Sequence, residues 1–338
     1  MISEFKNIVQ SMKHSASNDT FPLYASYLQS KDGYLKTCND DSFSKFKFDA
    51  PFEGSVNIFV LESMLKDLDD NTTLSVEGSQ LVIKCGNFRS KLPLVNIEVP
   101  ERPLPADTQN IEVTRDLYDA LTMAVKFTLS QSASVADAYL YKYIIIDPEA
   151  IISTDTSRSY FKSVSLDITK PVIINAKILN SLSEKSMFIG SFNNITFVEY
   201  SDGYSLFTTH MLDDYPISRI KVYYKNWNEG LTPLCSYEAL SDAMKQVAPI
   251  LMNEKLNSIT LHNENSELYV SSESKINGTA EVKIPTEFGK DFKLQMDLKQ
   301  FKGVAGDFTV YVKAEEDVRL LFLKSDVVSQ VVLSGYPL

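Results

Sequence analysis

The sequence has little of what builds a disulfide framework, a metal site or a membrane span. Its three cysteines, Cys38, Cys85 and Cys235, are far apart and odd in number, which is typical of reduced thiols in an intracellular, cytoplasmic protein. No apolar run approaches the roughly 18 residues that a membrane-spanning helix needs. A glycine-rich phosphate loop, an H-E-x-x-H motif and a C-x-x-C motif are also missing. The sequence therefore predicts no cofactor, no metal and no membrane partner.

Candidate catalytic side chains are sparse as well. Three histidines stand in unrelated contexts, where ordinary core or surface roles are the simplest interpretation: His14, His210 and His262. The segment TDTSR, residues 154–158, brings Asp155, Ser157 and Arg158 together, but it offers no nearby base to activate the serine. Asp, Thr and Ser favour tight turns, so a turn explains this segment. The alternative is an enzyme that uses Asp155, Ser157 and Arg158.

The length and the internal repetition point to three small domains. A chain of 338 residues favours two or three domains. Two stretches, NIEVPERP at 96–103 and DDYPISRI at 213–220, each place a proline after a strand-like run, roughly one small domain apart. We predict an α+β protein of three repeated domains, each with two helices packed on antiparallel strands: 1–104, 109–226 and 231–338.

Each repeat is predicted to open with an amphipathic helix, starting near residues 3, 114 and 236. In the first two repeats the apolar residues fall on one helical face: Phe5, Ile8, Val9 and Met12, then Leu117, Ala120, Leu121 and Ala124. A second helix is predicted in each repeat, at 57–68, at 175–184 and near residue 296 in MDLKQFKGVAG. Hairpins follow: TTLSVEGSQLVIKC turning at Gly78, MFIGSFNNITFVEY turning at Asn193 and Asn194, and FTVYVKAEEDVRLLFL.

The chain carries a net charge of −11, so its average surface repels nucleic acid. Basic residues nevertheless recur on the polar faces of the predicted helices: Lys6, Lys13, Lys66, Arg115, Lys126, Lys177, Lys185, Lys245, Lys299 and Lys302. A single lysine of this kind is usual on a solvated helix face. Because six helices share the tendency, they would form a sequence-independent track for phosphates if they lined one concave surface.

The order and spacing of several segments resemble the bacterial-type DNA polymerase sliding clamp, the β processivity subunit. STDTSRSY resembles the family's A-T-D-G-H-R-L turn and keeps Thr154, Asp155 and Arg158, with Thr-Ser in place of Gly-His. DDYPISRI resembles F-P-D-Y-R-R, with Tyr215 and Pro216 in register. PILMNEKLNSITL resembles I-L-S-N-E-K-F, and the terminal SQVVLSGYPL resembles V-V-M-P-M-R-L. The resemblance spans nearly the whole chain and is weakest over the first hundred residues. This divergence suggests a remote or phage-encoded member of the family.

The resemblance implies a non-enzymatic processivity factor. Family members are head-to-tail homodimers that close a ring around duplex DNA, with the helices lining the hole and the sheets outside. The basic helix residues would then face DNA without reading its sequence. With no nucleotide site of its own, the chain would depend on an ATP-driven loader.

The resemblance also implies two protein contacts. DNA polymerase and the loader would insert short linear peptides into a pocket between the second and third domains, drawn from Leu140, Thr154, Thr156, Arg158, Pro216, Val331, Val332 and Leu333. An edge strand with a frayed end is the alternative interpretation of VVLSGYPL. The dimer interface would pair LVIKCGNFRSKLPL of one subunit with the third domain of the other, through Ser90, Leu92, Ile250 and Leu251. A clamp-like adaptor or decoy that binds clamp partners without encircling DNA is the alternative function.

Overall fold

The structure is a computed structural model of the chain, and it describes residues 2–18, 22–105, 109–128, 142–155, 157–176, 179, 186–193, 195–208, 221, 229–252, 254, 257–313, 318–325 and 329–337. The chain divides into two compact units. The first comprises Met1–Asp119 and Asp167–Leu212, and the second comprises Ala120–Leu166 and Asp213–Leu338. None of the described helices is both long and apolar enough to span a membrane.

The described residues contain four α-helices: α1 (Ile2–Met12), α2 (Ile58–Leu65), α3 (Arg115–Val125) and α4 (Tyr237–Val247). The predicted first helix of each repeat is confirmed, as is the second helix of the first repeat. The predicted apolar faces of α1 and α3 are buried throughout. Side chains fix two of the helix starts, since Asn57 accepts from the backbone of Phe59 and Val60, and Ser236 accepts from Ala239 N.

The predicted second helix near residue 296 is wrong. The chain there ends a strand and makes one 3-10 turn, Leu298–Phe301, capped by the Asp297 side chain. Gly303 follows with φ of +85°, a conformation that stops a right-handed helix. The second helix predicted at 175–184 falls mostly outside the described residues.

Twenty-four strands are described: β1 Tyr27–Lys31, β2 Tyr34–Cys38, β3 Ser42–Lys47, β4 Gly54–Asn57, β5 Thr73–Glu77, β6 Gln80–Cys85, β7 Phe88–Pro93, β8 Gln109–Glu112, β9 Tyr143–Ile146, β10 Ala150–Thr154, β11 Arg158–Ser163, β12 Val172–Asn175, β13 Ser186–Phe192, β14 Ile195–Tyr200, β15 Gly203–Thr208, β16 Leu231–Ser236, β17 Ser258–Glu264, β18 Glu267–Ser274, β19 Gly278–Pro285, β20 Phe292–Asp297, β21 Thr309–Lys313, β22 Leu320–Lys324, β23 Ser329–Ser334 and β24 Tyr336–Pro337. The three predicted hairpins are confirmed as β5–β6, β13–β14 and β21–β22. Gly78 and Asn193 adopt positive φ at two of the turns.

The first unit holds two antiparallel sheets. One runs in the order β4-β1-β2-β3-β15-β14-β13-β8, and the other is the three-stranded β5-β6-β7. The larger sheet joins the first two repeats where β3 pairs with β15. That contact is close, because a Cβ added to Gly203 would lie 2.2 Å from the carbonyl oxygen of Lys45.

The second unit repeats this plan. Seven of its strands run in the order β9-β10-β11-β23-β22-β21-β16, and a five-stranded sheet runs β19-β18-β17-β20-β24. Here β11 pairs with β23, as β3 pairs with β15 in the first unit. Since β23 lies between β11 and β22, the edge-strand interpretation is wrong for VVLS, whereas Tyr336–Pro337 does form an edge strand, β24, beside β20.

Candidate functional site

Arg158 is the centre of the predicted peptide site, and its guanidinium is fully engaged within the second unit. Its Nε donates to Asp155 Oδ2 at 2.7 Å, its Nη1 to the carbonyl of Lys302 at 2.8 Å and its Nη2 to the carbonyl of Lys126 at 2.8 Å. The guanidinium also lies 5.1 Å from the centre of the Phe127 ring. Arg158 therefore holds three separate chain segments together, a task that suits its planar fork of donors.

The TDTSR segment is a tight turn organised by Asp155. Oδ1 of this residue accepts from the backbone N–H of Ser157 and of Arg158, and from the Ser157 hydroxyl at 2.9 Å. The predicted turn is confirmed. The carboxylate is committed to these bonds and to the guanidinium, so it is not poised to take a proton from Ser157.

A cavity of about 490 Å³ opens beside this turn. We call it the Arg158 cavity, and its lining residues are Asp155, Ser157, Arg158, Asn257, Ser258, Gln295, Met296, Asp297, Lys299, Gln300 and Tyr336. A cavity of this size, with both apolar and hydrogen-bonding groups, suits a short peptide segment.

The C-terminal segment forms one wall of the Arg158 cavity and is tied to the turn. Ser334 donates its N–H and its hydroxyl to the carbonyl of Ser157, at 3.1 and 2.9 Å. Gln300 Nε2 donates to the carbonyl of Ser334 at 2.8 Å. Gly335 passes so close to Leu294 that an added Cβ would lie 2.7 Å from its side chain, so any larger residue there would force Leu294 to move. Tyr336 then pairs with Gln295 in β24 and stays 73% exposed.

Of the five predicted pocket residues that the structure describes, Arg158 alone lines this cavity. Thr154 is buried beneath the turn, where its hydroxyl donates to the carbonyl of Arg158 at 2.8 Å. The apolar residues of β23 are buried within the sheet and are absent from the lining: Val331, Val332 and Leu333. The remaining three, Leu140, Thr156 and Pro216, lie outside the described residues.

Sequence reasoning missed the opposite wall, which β20 and the 3-10 turn provide through Gln295, Met296, Asp297 and Gln300. The wall could not be predicted from a helix near residue 296, because side chains on a helix point in other directions than those on a strand. Lys299, which was assigned to DNA, is exposed and also lines the Arg158 cavity.

Two further candidate surfaces are sheet edges that no described strand covers, β7 in the first unit and β19 in the second. On the outer face of β5–β7, Glu77 is surrounded by three cations: Lys84 at 3.6 Å, Arg89 at 2.8 Å and Lys91 at 2.9 Å. The hydrogen bond from Lys91, with the positive charge of Arg89, holds the pKa of Glu77 below its ordinary value. This face thus carries an excess of positive charge.

The face of β18–β19 has the opposite excess. Three carboxylates, Glu267, Glu273 and Glu281, share it with one ammonium, Lys283, which pairs with Glu267. The hydrogen bond from Lys283 lowers the pKa of Glu267, so this carboxylate stays ionised well below neutral pH. The two open edges therefore carry complementary charge.

The predicted dimer residues lie at or near these edges, with their side chains turned largely inward. Ser90 and Leu92 are on β7, where the Ser90 hydroxyl contacts Met64 Sδ at 3.2 Å and Leu92 is buried. Ile250 and Leu251 end the 3-10 turn after α4, and Leu251 is only 4% exposed. The group available for a dimer contact is therefore the backbone of the β7 edge, because the Leu251 side chain is buried.

The basic residues assigned to DNA fall into two groups. Several are engaged within the chain: Lys6 donates to the carbonyl of Leu68, Lys13 pairs with Glu62 at 2.8 Å, Arg115 pairs with Asp119 at 3.1 Å and Lys245 pairs with Asp242 at 2.8 Å. Among the described residues assigned to DNA, the exposed ones that form no ion pair are Lys66, Lys126, Lys299 and Lys302. Lys177 and Lys185 lie outside the described residues.

Solved structures of sliding clamps share this fold over the whole chain. A DNA polymerase sliding clamp from Bacillus subtilis aligns with a TM-score of 0.77 at 15% identity, covering 99% of this chain and 97% of that one. The DNA polymerase III β subunits of Thermotoga maritima and Pseudomonas aeruginosa give TM-scores of 0.78 and 0.76 at 14% and 16% identity, each covering 100% of this chain and 98% of theirs. No protein-family model and no curated protein matches the sequence. The predicted α+β sliding-clamp fold is confirmed.

Proposed function

We propose that this chain is a DNA sliding clamp: a non-enzymatic processivity factor that encircles duplex DNA as a homodimer and tethers a DNA polymerase to it. The proposal takes the three repeats as clamp domains, 1–104, 109–226 and 231–338. The observation that carries it is the pair of strand edges β7 and β19, which correspond to the two sides of the strand pairings β3–β15 and β11–β23.

The repeat pattern specifies how two copies would join. The third strand of one repeat's first sheet pairs with the last strand of the next repeat's second sheet, as β3–β15 and again as β11–β23. The corresponding strand of the third repeat is β19, and the corresponding last strand of the first repeat is β7. If β19 of one copy paired with β7 of a second copy, and the reverse, the same junction would recur and a head-to-tail ring of two would close. The opposite charges of the two faces favour that pairing.

The Arg158 cavity is the site proposed for linear peptides of DNA polymerase and of a clamp loader. Its support is its position beside the turn that resembles the family motif, and its mixed lining of apolar and polar groups. Leu140, Thr156 and Pro216 are proposed to contribute to this pocket as well, while Val331, Val332 and Leu333 would support the floor from within the sheet.

The helices are proposed to face DNA, with Lys126 among the principal phosphate contacts. A ring that holds DNA topologically needs only weak, sequence-independent attraction, and each lysine that meets a phosphate adds to it. Lys126 is exposed and has no ion-pair partner among the described residues, whereas the Lys245 ammonium must first leave Asp242.

The test is retention on circular DNA. The protein, incubated with a nicked plasmid and passed through gel filtration at low salt, should stay with the circle and be lost after a single cut linearises it. Lys126→Ala should reduce the retained protein severalfold, and the matched Lys245→Ala should reduce it less, because its charge is already compensated. Equal retention on circular and linear DNA would contradict encirclement, and an unaffected Lys126→Ala would remove this lysine from the contact.

A further inference from the structure

The three repeats differ at one edge of their second sheets. In the second repeat β8 pairs along β13, and in the third repeat β16 pairs along β21. In the first repeat no strand among the described residues pairs with the outer edge of β5. The backbone groups on that edge are open to another strand.

β5 and β21 occupy the same place in their repeats, as their sequences and registers show. TLSVE of β5 aligns with TVYVK of β21. Thr73 lies opposite Lys84 as Thr309 lies opposite Lys324, and Leu74 lies opposite Ile83 as Val310 lies opposite Leu323. β5 is therefore the counterpart of the strand that β16 covers in the third repeat.

Two apolar side chains of β5 are more exposed to solvent than their counterparts on β21. Under β16, Val310 and Val312 are completely buried. Their counterparts on β5 are not, since Leu74 is only half-buried and Val76 is 43% exposed. Within the described residues, the core is therefore less well covered at β5 than at β21.

Two cavities lie along β5. The one at its start measures about 510 Å³ and is lined by Ile2, Ser3, Phe5, Phe48, Pro51, Asp70, Thr72, Thr73 and Leu74. The one at its end measures about 620 Å³ and includes Val76 and Gly78. Each cavity is within the size range of ligand sites.

The strands that cover the equivalent edges indicate what would fit. β8 has four residues and β16 has six, and each turns one aliphatic side chain into the core, Ile111 and Leu234, which are 5% and 3% exposed. The two cavities are lined by three carboxylates, Asp70, Glu53 and Glu98, against one ammonium, Lys31. A complementary segment is short, extended and basic, with one aliphatic residue turned inward.

We propose that the outer edge of β5 is a second peptide-binding site, where an extended basic segment of a partner protein adds as a fourth strand and buries an aliphatic side chain against Leu74 and Val76. Backbone hydrogen bonds would supply affinity and the inward residue would supply selectivity. The site lies on the opposite edge from β7 and far in sequence from the Arg158 cavity, so it is independent of ring closure.

The test uses the full chain and a fluorescein-labelled peptide that carries the sequence of residues 109–113, Gln-Asn-Ile-Glu-Val, between two lysines at each end. The peptide should bind saturably by fluorescence anisotropy. Val76→Lys, a change at an exposed position that repels a basic peptide, should weaken binding at least tenfold. Met187→Lys is the matched control, since Met187 is also on a strand and is 44% exposed, and it should bind as the unmodified chain does.

Any of several results would overturn the proposal. One is no saturation by about 1 mM peptide, which corresponds to only about −4 kcal/mol of binding free energy. Another is that the Val76→Lys chain binds the peptide as tightly as the unmodified chain does. The same holds if the unmodified chain binds a control peptide, with Asp in place of the Ile, as tightly as the original peptide. The last is strong hydrogen-exchange protection, in the free protein, of those β5 amides that do not bond to β6, because a segment of this chain or a second copy would then already cover the edge.

Discussion

Arg158→Ala is expected to lower the free energy of unfolding by about 3–5 kcal/mol, the range for breaking a buried ion pair by removing one partner. The side chains of Arg158 and Asp155 are only 11% and 10% exposed, so the Asp155 carboxylate would lose its cation in a poorly solvated place. The carbonyls of Lys126 and Lys302 would lose their donors as well. Urea unfolding followed by circular dichroism measures the change.

Two variants separate this effect from simple loss of charge. Arg158→Lys keeps the charge but cannot donate to three acceptors in one plane, so it should recover only part of the stability. Arg115→Ala removes a guanidinium whose ion pair with Asp119 is exposed, at 67% and 53%, and should cost less than about 1 kcal/mol. If Arg158→Ala cost no more than Arg115→Ala, Arg158 would not be the link between the three segments.

Reversing the charge of β7 with Arg89→Glu and Lys91→Glu is expected to weaken self-association by at least about a hundredfold. The proposed junction sets this face against the carboxylates of β18–β19, and like charges brought together at an interface cost several kcal/mol. Sedimentation velocity across a concentration series measures the association constant of the altered chain.

The control reverses the other face in the same chain, with Glu273→Arg and Glu281→Arg. Both sides of each junction then carry swapped charges, and association should return towards that of the unmodified protein. If the β7 substitutions left the association constant unchanged, the interface would lie elsewhere. The same conclusion would follow if the chain with both faces reversed remained monomeric.

Local sequence patterns predicted the helices and hairpins whose formation depends on residues close together in the sequence. Helix α1 followed from the spacing of Phe5, Ile8, Val9 and Met12, since residues three and four apart share a helical face. The hairpin at Gly78 followed from alternating apolar residues and a turn that needs positive φ. The resemblance to sliding clamps predicted the overall fold, and that fold is confirmed.

Long-range pairing escaped prediction. Ser334 is 177 residues from Ser157, yet their hydrogen bond ties the C-terminal segment to the Asp155 turn. The interior position of β23 likewise depends on partners far away in the sequence, so the sequence alone could not show that its three apolar residues are buried within the sheet. Lys13 was assigned to DNA because nothing in its local sequence reveals Glu62, its ion-pair partner 49 residues away.

The central claim is that two copies close a ring through β7 and β19, and the solution mass tests it most directly. Light scattering across a dilution series should give a mass twice that of the 38.1 kDa chain, and the mass should persist as the protein is diluted. A mass of one chain at every concentration would contradict the ring, and the adaptor that binds clamp partners without encircling DNA would become the better account.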